Sequence, residues 1–171
     1  MPVPAVPLLS PARVARTLDR LACEAVERLP DASALVVLGL VTRGDALAAD
    51  LARRIGALVG CDVPVFALDV SDFRDDRPTE SGTRPRPTLG VSLAGRDVLL
   101  VDDVLHTGRT VRAALDAVVQ LGRPRSIRLA VLVDRGGREY PIQPDFVGRV
   151  VAVDVGARVV VRDDFSVEVH P

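Results

Sequence analysis

The sequence predicts an α/β protein, an open and mainly parallel sheet with helices on both faces. Three observations carry this. The runs Ala34 to Leu40, Val98 to Val101 and Ile127 to Val133 are short, aliphatic and unalternated, as strands covered on both faces are. The segments between and before them repeat their apolar residues at helical spacing. Strands that alternate with helices are joined by right-handed crossovers. The loops after Leu40, Val101 and Val133 therefore meet on one rim at the carboxyl ends of the strands, where such sheets bind ligands.

Taken in order, Met1 to Leu9 is apolar and proline-rich but has no positive leader, long apolar run or cleavage site, and it reads as a loose arm. Ser10 followed by Pro11 starts a helix, because the hydroxyl can cap free amides and proline fits the first turn. Val14, Leu18, Leu21, Ala25 and Leu29 form its apolar face, and Pro30 closes it. The strand to Leu40 leads through Thr42, Arg43 and Gly44 into a helix marked by Leu47, Leu51, Ile55 and Leu58, then a strand from Val63 to Leu68. Asp69 to Gly90 is long, charged and rich in proline, which reads as a mobile flap. After the strand Val98 to Val101, the residues Val111, Leu115 and Val118 mark a helix that Gly122 and Pro124 end before the strand Ile127 to Val133. From Val147 the chain is valine-rich with Gly148 and Gly156, predicting short strands that finish the sheet or form a hairpin.

A chain of 171 residues, 48% of them hydrophobic, is sized for one domain, 1–171, that buries roughly two-thirds of its unfolded surface. A net charge of −1 supplies no field for nucleic acid, so any RNA contact needs a local basic patch. Every basic side chain is arginine, read as codon usage in a GC-rich genome rather than as phosphate recognition. Cys23 and Cys61 have neither metal-ligand spacing nor a disulfide framework, which fits a reducing cytoplasm. No apolar stretch approaches the roughly 20 residues that cross a bilayer, so no membrane partner is expected.

The chemistry is concentrated in VLLVDDVLHTGRT, where an aliphatic strand runs into Asp102 and Asp103 and then into Thr107, Gly108 and Thr110 at a helix start. Gly108 lets the backbone approach an anion, and the free amides and positive dipole end of a helix starting near Arg109 face a phosphate. Two carboxylates beside such a cradle would repel its phosphate unless they serve sugar hydroxyls or a hydrated magnesium ion. A ribose 5-phosphate satisfies both halves. The string lacks the lysine of a Walker loop and the spacing of a dinucleotide turn.

This string resembles the phosphoribosyl pyrophosphate signature of type I phosphoribosyltransferases. Together with GLVTRG, LDVSDFRDD, the longer run to VVQLGRP, and IRLAVLVDRGGRE, it resembles the pyrimidine operon regulator family PyrR over most of residues 11 to 149. The resemblance implies a type I phosphoribosyltransferase fold with a flexible flap near 69–90 and a hood near 134–149. It also implies uracil phosphoribosyltransferase activity, which gives UMP and pyrophosphate, and binding of a pyr mRNA leader.

By the same resemblance, Asp102 and Asp103 hold the ribose hydroxyls and, mostly through substrate or water, magnesium. Val104, Leu105, His106, Thr107, Gly108, Arg109 and Thr110 wrap the 5-phosphate. Thr42, Arg43 and Gly44 bind pyrophosphate in a loop where the family often carries a cis peptide. Arg74, with Asp75 and Asp76, belongs to the flap and neutralises the leaving pyrophosphate. Val133, Asp134 and Arg135, with Gly136, read the pyrimidine largely through backbone groups.

The residues expected at the chemistry are therefore Asp102, Asp103, Arg74 and His106. His106 stands where the family commonly has tyrosine; an imidazole there can transfer a proton near neutral pH, or it is simply a loop histidine. Where the family's RNA surface has polar and basic residues and a histidine, this chain has Asp19, Cys23 and Gly137, with Arg20, Arg135 and Arg138 remaining as phosphate contacts. RVVAVDVGARV replaces the family's KNIPTS-like stretch. Catalysis is thus expected more strongly than attenuation. The competing classes are an RNA-binding regulator that senses UMP or UTP with little turnover, and a phosphoribosyltransferase for another base. Relatives form dimers or tetramers, so a homodimer or homotetramer is expected.

Overall fold

The structure is a computed structural model that describes residues 4–29, 31–73 and 88–171. In chain order its elements are β1 (Val6–Leu9), α1 (Pro11–Arg28), β2 (Leu35–Leu40), α2 (Gly44–Val59), β3 (Val65–Leu68), β4 (Asp97–Leu105), α3 (Arg109–Leu121), β5 (Ser126–Asp134), β6 (Phe146–Val150), β7 (Arg158–Val161) and β8 (Val167–His170). Strands β2 to β6 form one sheet in the order β3-β2-β4-β5-β6, with every neighbouring pair parallel. The strands β1, β8 and β7, in that order, form a separate antiparallel sheet.

Alternate residues of the central strands face opposite sides, and both sides are dry, which is why their sequences show no polar alternation. Leu35, Val37, Leu99, Val101, Ala130 and Leu132 pack with the apolar faces of α1 and α2. Val36, Leu38, Leu40, Val98, Leu100 and Val131 pack with α3 on the other face. Each Val or Leu removed from water here contributes about 1.5–3 kcal/mol. The predicted class, an open parallel sheet with helices on both faces, is the observed one. Ser10 caps α1 as expected, its side chain accepting the Arg13 amide, with Pro11 in the first turn. Gly39 brings α2 onto the sheet: a Cβ there would stand 2.6 Å from the Gly44 carbonyl oxygen and 2.7 Å from the Ala48 Cβ.

Two expectations are revised. Of the segment expected as a loose arm, Val6–Leu9 is instead a strand, pairing with β8 and burying Leu9. Pro7 is tolerated because β1 is an edge strand, where a missing N–H costs no ladder bond. The third main strand does not stop at Val101. It pairs with β5 through Leu105, so Asp102 and Asp103 are its carboxyl end rather than a following loop. The valine-rich tail takes both of its foreseen forms, since β6 extends the main sheet and β7 and β8 form a hairpin.

The stretch 69–90 lies largely outside the described residues, Arg74, Asp75 and Asp76 included. At its near end Ser71–Phe73 forms a 3₁₀ turn that buries Phe73 in the α3-side core. Within 134–149, Phe146 onward already belongs to the main sheet, and the separate small sheet is built from 6–9 and 158–170.

Candidate active site

At the carboxyl end of β4, Asp102 is buried and Asp103 half-buried, and each carboxylate accepts the next backbone amide, Asp103 N–H at 2.9 Å and Val104 N–H at 2.7 Å. Burial, and then the charge of Asp103, push the Asp102 carboxyl well above the usual carboxylate range. An acid in that state gains from any hydroxyl donor or cation brought to it. Val104 is half-buried, while Leu105 turns into the α3-side core and ends the strand.

Three residues later α3 opens. Its N-cap is Gly108, whose φ of +89° is open to glycine at little cost and which offers the helix no side-chain cap. A Cβ there would meet Tyr140 and Ile142 at 3.3–3.4 Å. The Arg109 amide makes a long 3.3 Å bond to the Thr107 hydroxyl, and Thr110 lies in the first turn. A helix N-terminus, with its backbone amides and positive dipole end, is the arrangement that takes a phosphate.

The loop after β2 reaches the same place. Its Val41–Thr42 peptide is cis, as the family resemblance implies, and Arg43 is the N-cap of α2. Gly44 is packed on the end of β4, where a Cβ would lie 2.5 Å from the Val101 carbonyl oxygen. The Arg43 guanidinium is 2.7 Å from the carboxylate of Asp163, in the turn between β7 and β8.

The loop after β5 completes the rim. Val133 is fully buried in β5, between β4 and β6. Burial would raise the Asp134 carboxyl, but hydrogen bonds from Arg138 and the Gly136 amide outweigh it and hold it below the usual range. Arg135 donates its amide to the Leu105 carbonyl at 3.0 Å and its guanidinium to the Ala157 carbonyl at 2.7 Å.

Arg138 spends its guanidinium on Asp134 at 2.6 Å, the His106 carbonyl at 2.9 Å and the Ile142 carbonyl at 2.9 Å. The Thr107 carbonyl accepts the Glu139 and Tyr140 amides, and Glu139 pairs with Arg109. The phosphate cradle and the loop expected to read the base are thus pinned together. His106 is exposed and faces Gly137, where a Cβ would stand 2.8 Å from Nε2. Partial burial, with the charges of Arg135 and Arg138, lowers its imidazole below the ordinary value against the pull of Glu139.

The structure therefore brings 42–44, 102–110 and 133–136 to one rim, and Arg74 falls outside the described residues. Sequence reasoning missed Asp163, for which it carried no signal, and Glu139 and Tyr140. Arg135 and Arg138, expected as RNA phosphate contacts, place guanidinium donors on the carbonyls of Ala157, His106 and Ile142 and on Asp134.

A second feature lies off the rim. Arg13, Arg16, Thr17, Arg20, Gly148 and Arg149 line a cleft of about 530 Å³ between α1 and β6. Arg20 donates to the Val147 and Gly148 carbonyls, whereas among the described residues no carboxylate pairs with Arg13, Arg16 or Arg149. Cys23 and Cys61 are free and exposed. No helix of the described residues is long and apolar enough to cross a membrane.

The phosphoribosyl transferase domain family model matches residues 8–164. The chain is 50% identical over 147 residues to the bifunctional protein PyrR of Synechocystis sp., a match covering 85% of this chain and 83% of the relative. It is 54% identical over 149 residues to the PyrR of Trichormus variabilis, covering 86% and 83%. With the pyrimidine operon regulatory protein of Lactococcus lactis subsp. lactis it shares 42% identity over 147 residues, covering 86% and 83%. Among solved structures, the hypoxanthine phosphoribosyltransferase of Trypanosoma cruzi superposes with a TM-score of 0.72 at 20% identity over 96% of this chain and 95% of that one. The Staphylococcus aureus hypoxanthine phosphoribosyltransferase gives 0.69 at 21% identity, covering 86% and 78%. At such identities these two structures speak for the fold alone.

Proposed function

Since the chain belongs to the phosphoribosyl transferase domain family and, within it, to the PyrR proteins, we propose that it is a uracil phosphoribosyltransferase. It converts uracil and phosphoribosyl pyrophosphate to UMP and pyrophosphate. One observation carries the reading: a buried, hard-to-ionise Asp102 stands beside Asp103 at the end of β4, and a helix N-terminus without a side-chain cap opens at Gly108 just beyond it. A ligand that satisfies both must present hydroxyls or a cation to one end and phosphate to the other.

In this reading Asp102 and Asp103 bind the ribose hydroxyls and Val104 to Thr110 the 5-phosphate. Thr42, Arg43 and Gly44 take pyrophosphate, and backbone groups of Val133 to Gly136 take the base. An all-oxygen donor pair suits magnesium, which would be held mostly through substrate and water. Once bound it would supply charge neutralisation on the departing pyrophosphate. The C1–oxygen bond breaks as the uracil nitrogen bonds to C1, and the electron pair leaves with pyrophosphate. The nitrogen's proton must be passed on, and His106, held toward its neutral form, is a suitable acceptor. The rest of the catalysis is positioning and electrostatics. Radiolabelled uracil with phosphoribosyl pyrophosphate and magnesium should give UMP. No product with uracil, but nucleotide with another base in the same screen, would move the specificity and leave the chemistry standing.

The arginine cleft favours a second capacity, binding of a pyr mRNA leader under the control of UMP or UTP. Three guanidiniums without carboxylate partners among the described residues, on one concave surface, form the local basic patch that a near-neutral chain needs for a phosphate backbone. Nucleotide-dependent retention of a leader transcript tests it, and UMP synthesis without retention would leave an enzyme only. A homodimer or homotetramer is expected by analogy with relatives, and a monomeric sedimentation profile would refute it.

A further inference from the structure

We propose that Asp163 is an intramolecular counter-ion that competes with pyrophosphate for Arg43 and so sets how tightly the site holds its diphosphate ligands. The inference rests on the reading of 42–44 as the pyrophosphate loop.

The turn between β7 and β8 is built to present this one carboxylate. The Arg162 amide donates to the Ser166 carbonyl at 2.8 Å and the Phe165 amide to the Arg162 carbonyl at 2.9 Å. Asp164 is consumed by the turn itself, its Oδ1 accepting the Ser166 amide at 2.9 Å and hydroxyl at 2.6 Å. Phe165 holds a left-handed φ of +64° while its ring packs against the main core. A side chain other than glycine keeps such a conformation only where its surroundings fix it. The neighbouring Asp163 is left pointing outward. Its side chain is 97% exposed, and its 2.7 Å contact with Arg43 Nη1 is its one ion pair among the described residues.

Arg43 sits at the start of α2, beside the cis peptide and on the rim with Asp102. Its planar guanidinium has five donors suited to phosphate oxygens, and Asp163 engages it through a single nitrogen. A multiply charged diphosphate outcompetes one solvated carboxylate, so the pair yields on binding. While it lasts, it subtracts from diphosphate affinity, and the retained negative charge nearby opposes rebinding of the product. Asp163 therefore acts through Arg43 as a positioning residue that favours pyrophosphate release.

The test compares wild-type protein with Asp163→Asn and Asp163→Glu. Titration with magnesium pyrophosphate in low salt should show Asp163→Asn binding about two- to fivefold more tightly, the span of an exposed ion pair. The KM for phosphoribosyl pyrophosphate should fall in step while kcat does not rise. Asp163→Glu should stay near wild type, and the advantage of Asp163→Asn should shrink as salt screens the pair. Affinity for UMP, which leaves the pyrophosphate position empty, should not change; a merely structural role for Asp163 would alter both ligands alike. Equal or weaker pyrophosphate binding by Asp163→Asn, or an equal shift for UMP, overturns the inference alone. Wild-type protein that binds no pyrophosphate overturns the loop assignment and the inference with it.

Discussion

Gly44 lies against the backbone of Asp102, so closely that a Cβ on Gly44 would stand 3.1 Å from the Asp102 Cα. The loop proposed for pyrophosphate and the acid pair proposed for ribose are therefore one rigid unit, with no room for independent adjustment. Gly44→Ala must push α2 off the sheet. It should cost about 1–3 kcal/mol in urea unfolding, as overpacking does, and raise the KM for phosphoribosyl pyrophosphate more than the KM for uracil. Equal changes in the two KM values would show that the contact is not coupled to the substrate's diphosphate end.

Asp102→Asn should trade function for stability. With its folded pKa raised, Asp102 binds a proton more readily in the native than in the unfolded chain. Native stability therefore falls as pH rises from about 4, the ordinary carboxylate value, through the raised value, and the full cost is present above it. The amide removes that cost, a gain of about 1 kcal/mol at pH 8, or about 2–4 °C in Tm at this chain length. Loss of the charge-assisted hydrogen bonds to substrate should lower kcat/KM about ten- to a hundredfold. Calorimetry at pH 4 and pH 8 should show the gain only at the higher pH.

His106 should make the rate sensitive to acid and indifferent to mild base. Its lowered pKa keeps the ring neutral at pH 7, so protonation, and with it the loss of a proton acceptor, falls below about pH 6.5. His106→Phe should abolish that acid limb in the kcat/KM profile and lower the plateau about tenfold or more. An unchanged profile would remove His106 from the chemistry.

Arg16→Ala combined with Arg149→Ala tests the cleft. Binding of a leader transcript should weaken, and the slope of log K against log salt should shallow by about 1.4 to 1.8 units once two backbone phosphates go unneutralised. UMP synthesis should be unchanged, because neither residue lies on the rim.

Much of this was legible in the sequence because it followed from local chemistry. Strands buried on both faces advertise themselves as aliphatic runs, Ser10-Pro11 carries its own capping mechanism, and the acid pair before Thr107 and Gly108 juxtaposes demands that few ligands satisfy. What escaped depends on partners far apart in the chain. Nothing near Val6 announces Val169, and nothing near Arg43 announces Asp163, 120 positions away. The extension of β4 through Asp102 and Asp103 was hidden because aspartate is rare in strands, yet the ladder to β5 continues past both acids. The bonds of Arg138 were hidden for a related reason, since an arginine's charge is visible in sequence but the carbonyls that accept its donors are not.

The pairing of β1 with β8 gives four residues ahead of the first helix influence over the opposite end of the polypeptide. Stripped of Val6–Leu9, the remaining β7–β8 ribbon would have only two strands, an arrangement marginal in water, and β8 would offer a raw edge to any passing chain. Proteolytic trimming of the amino-terminal segment would thus reach the diphosphate loop indirectly, by loosening the scaffold that carries Asp163 to Arg43.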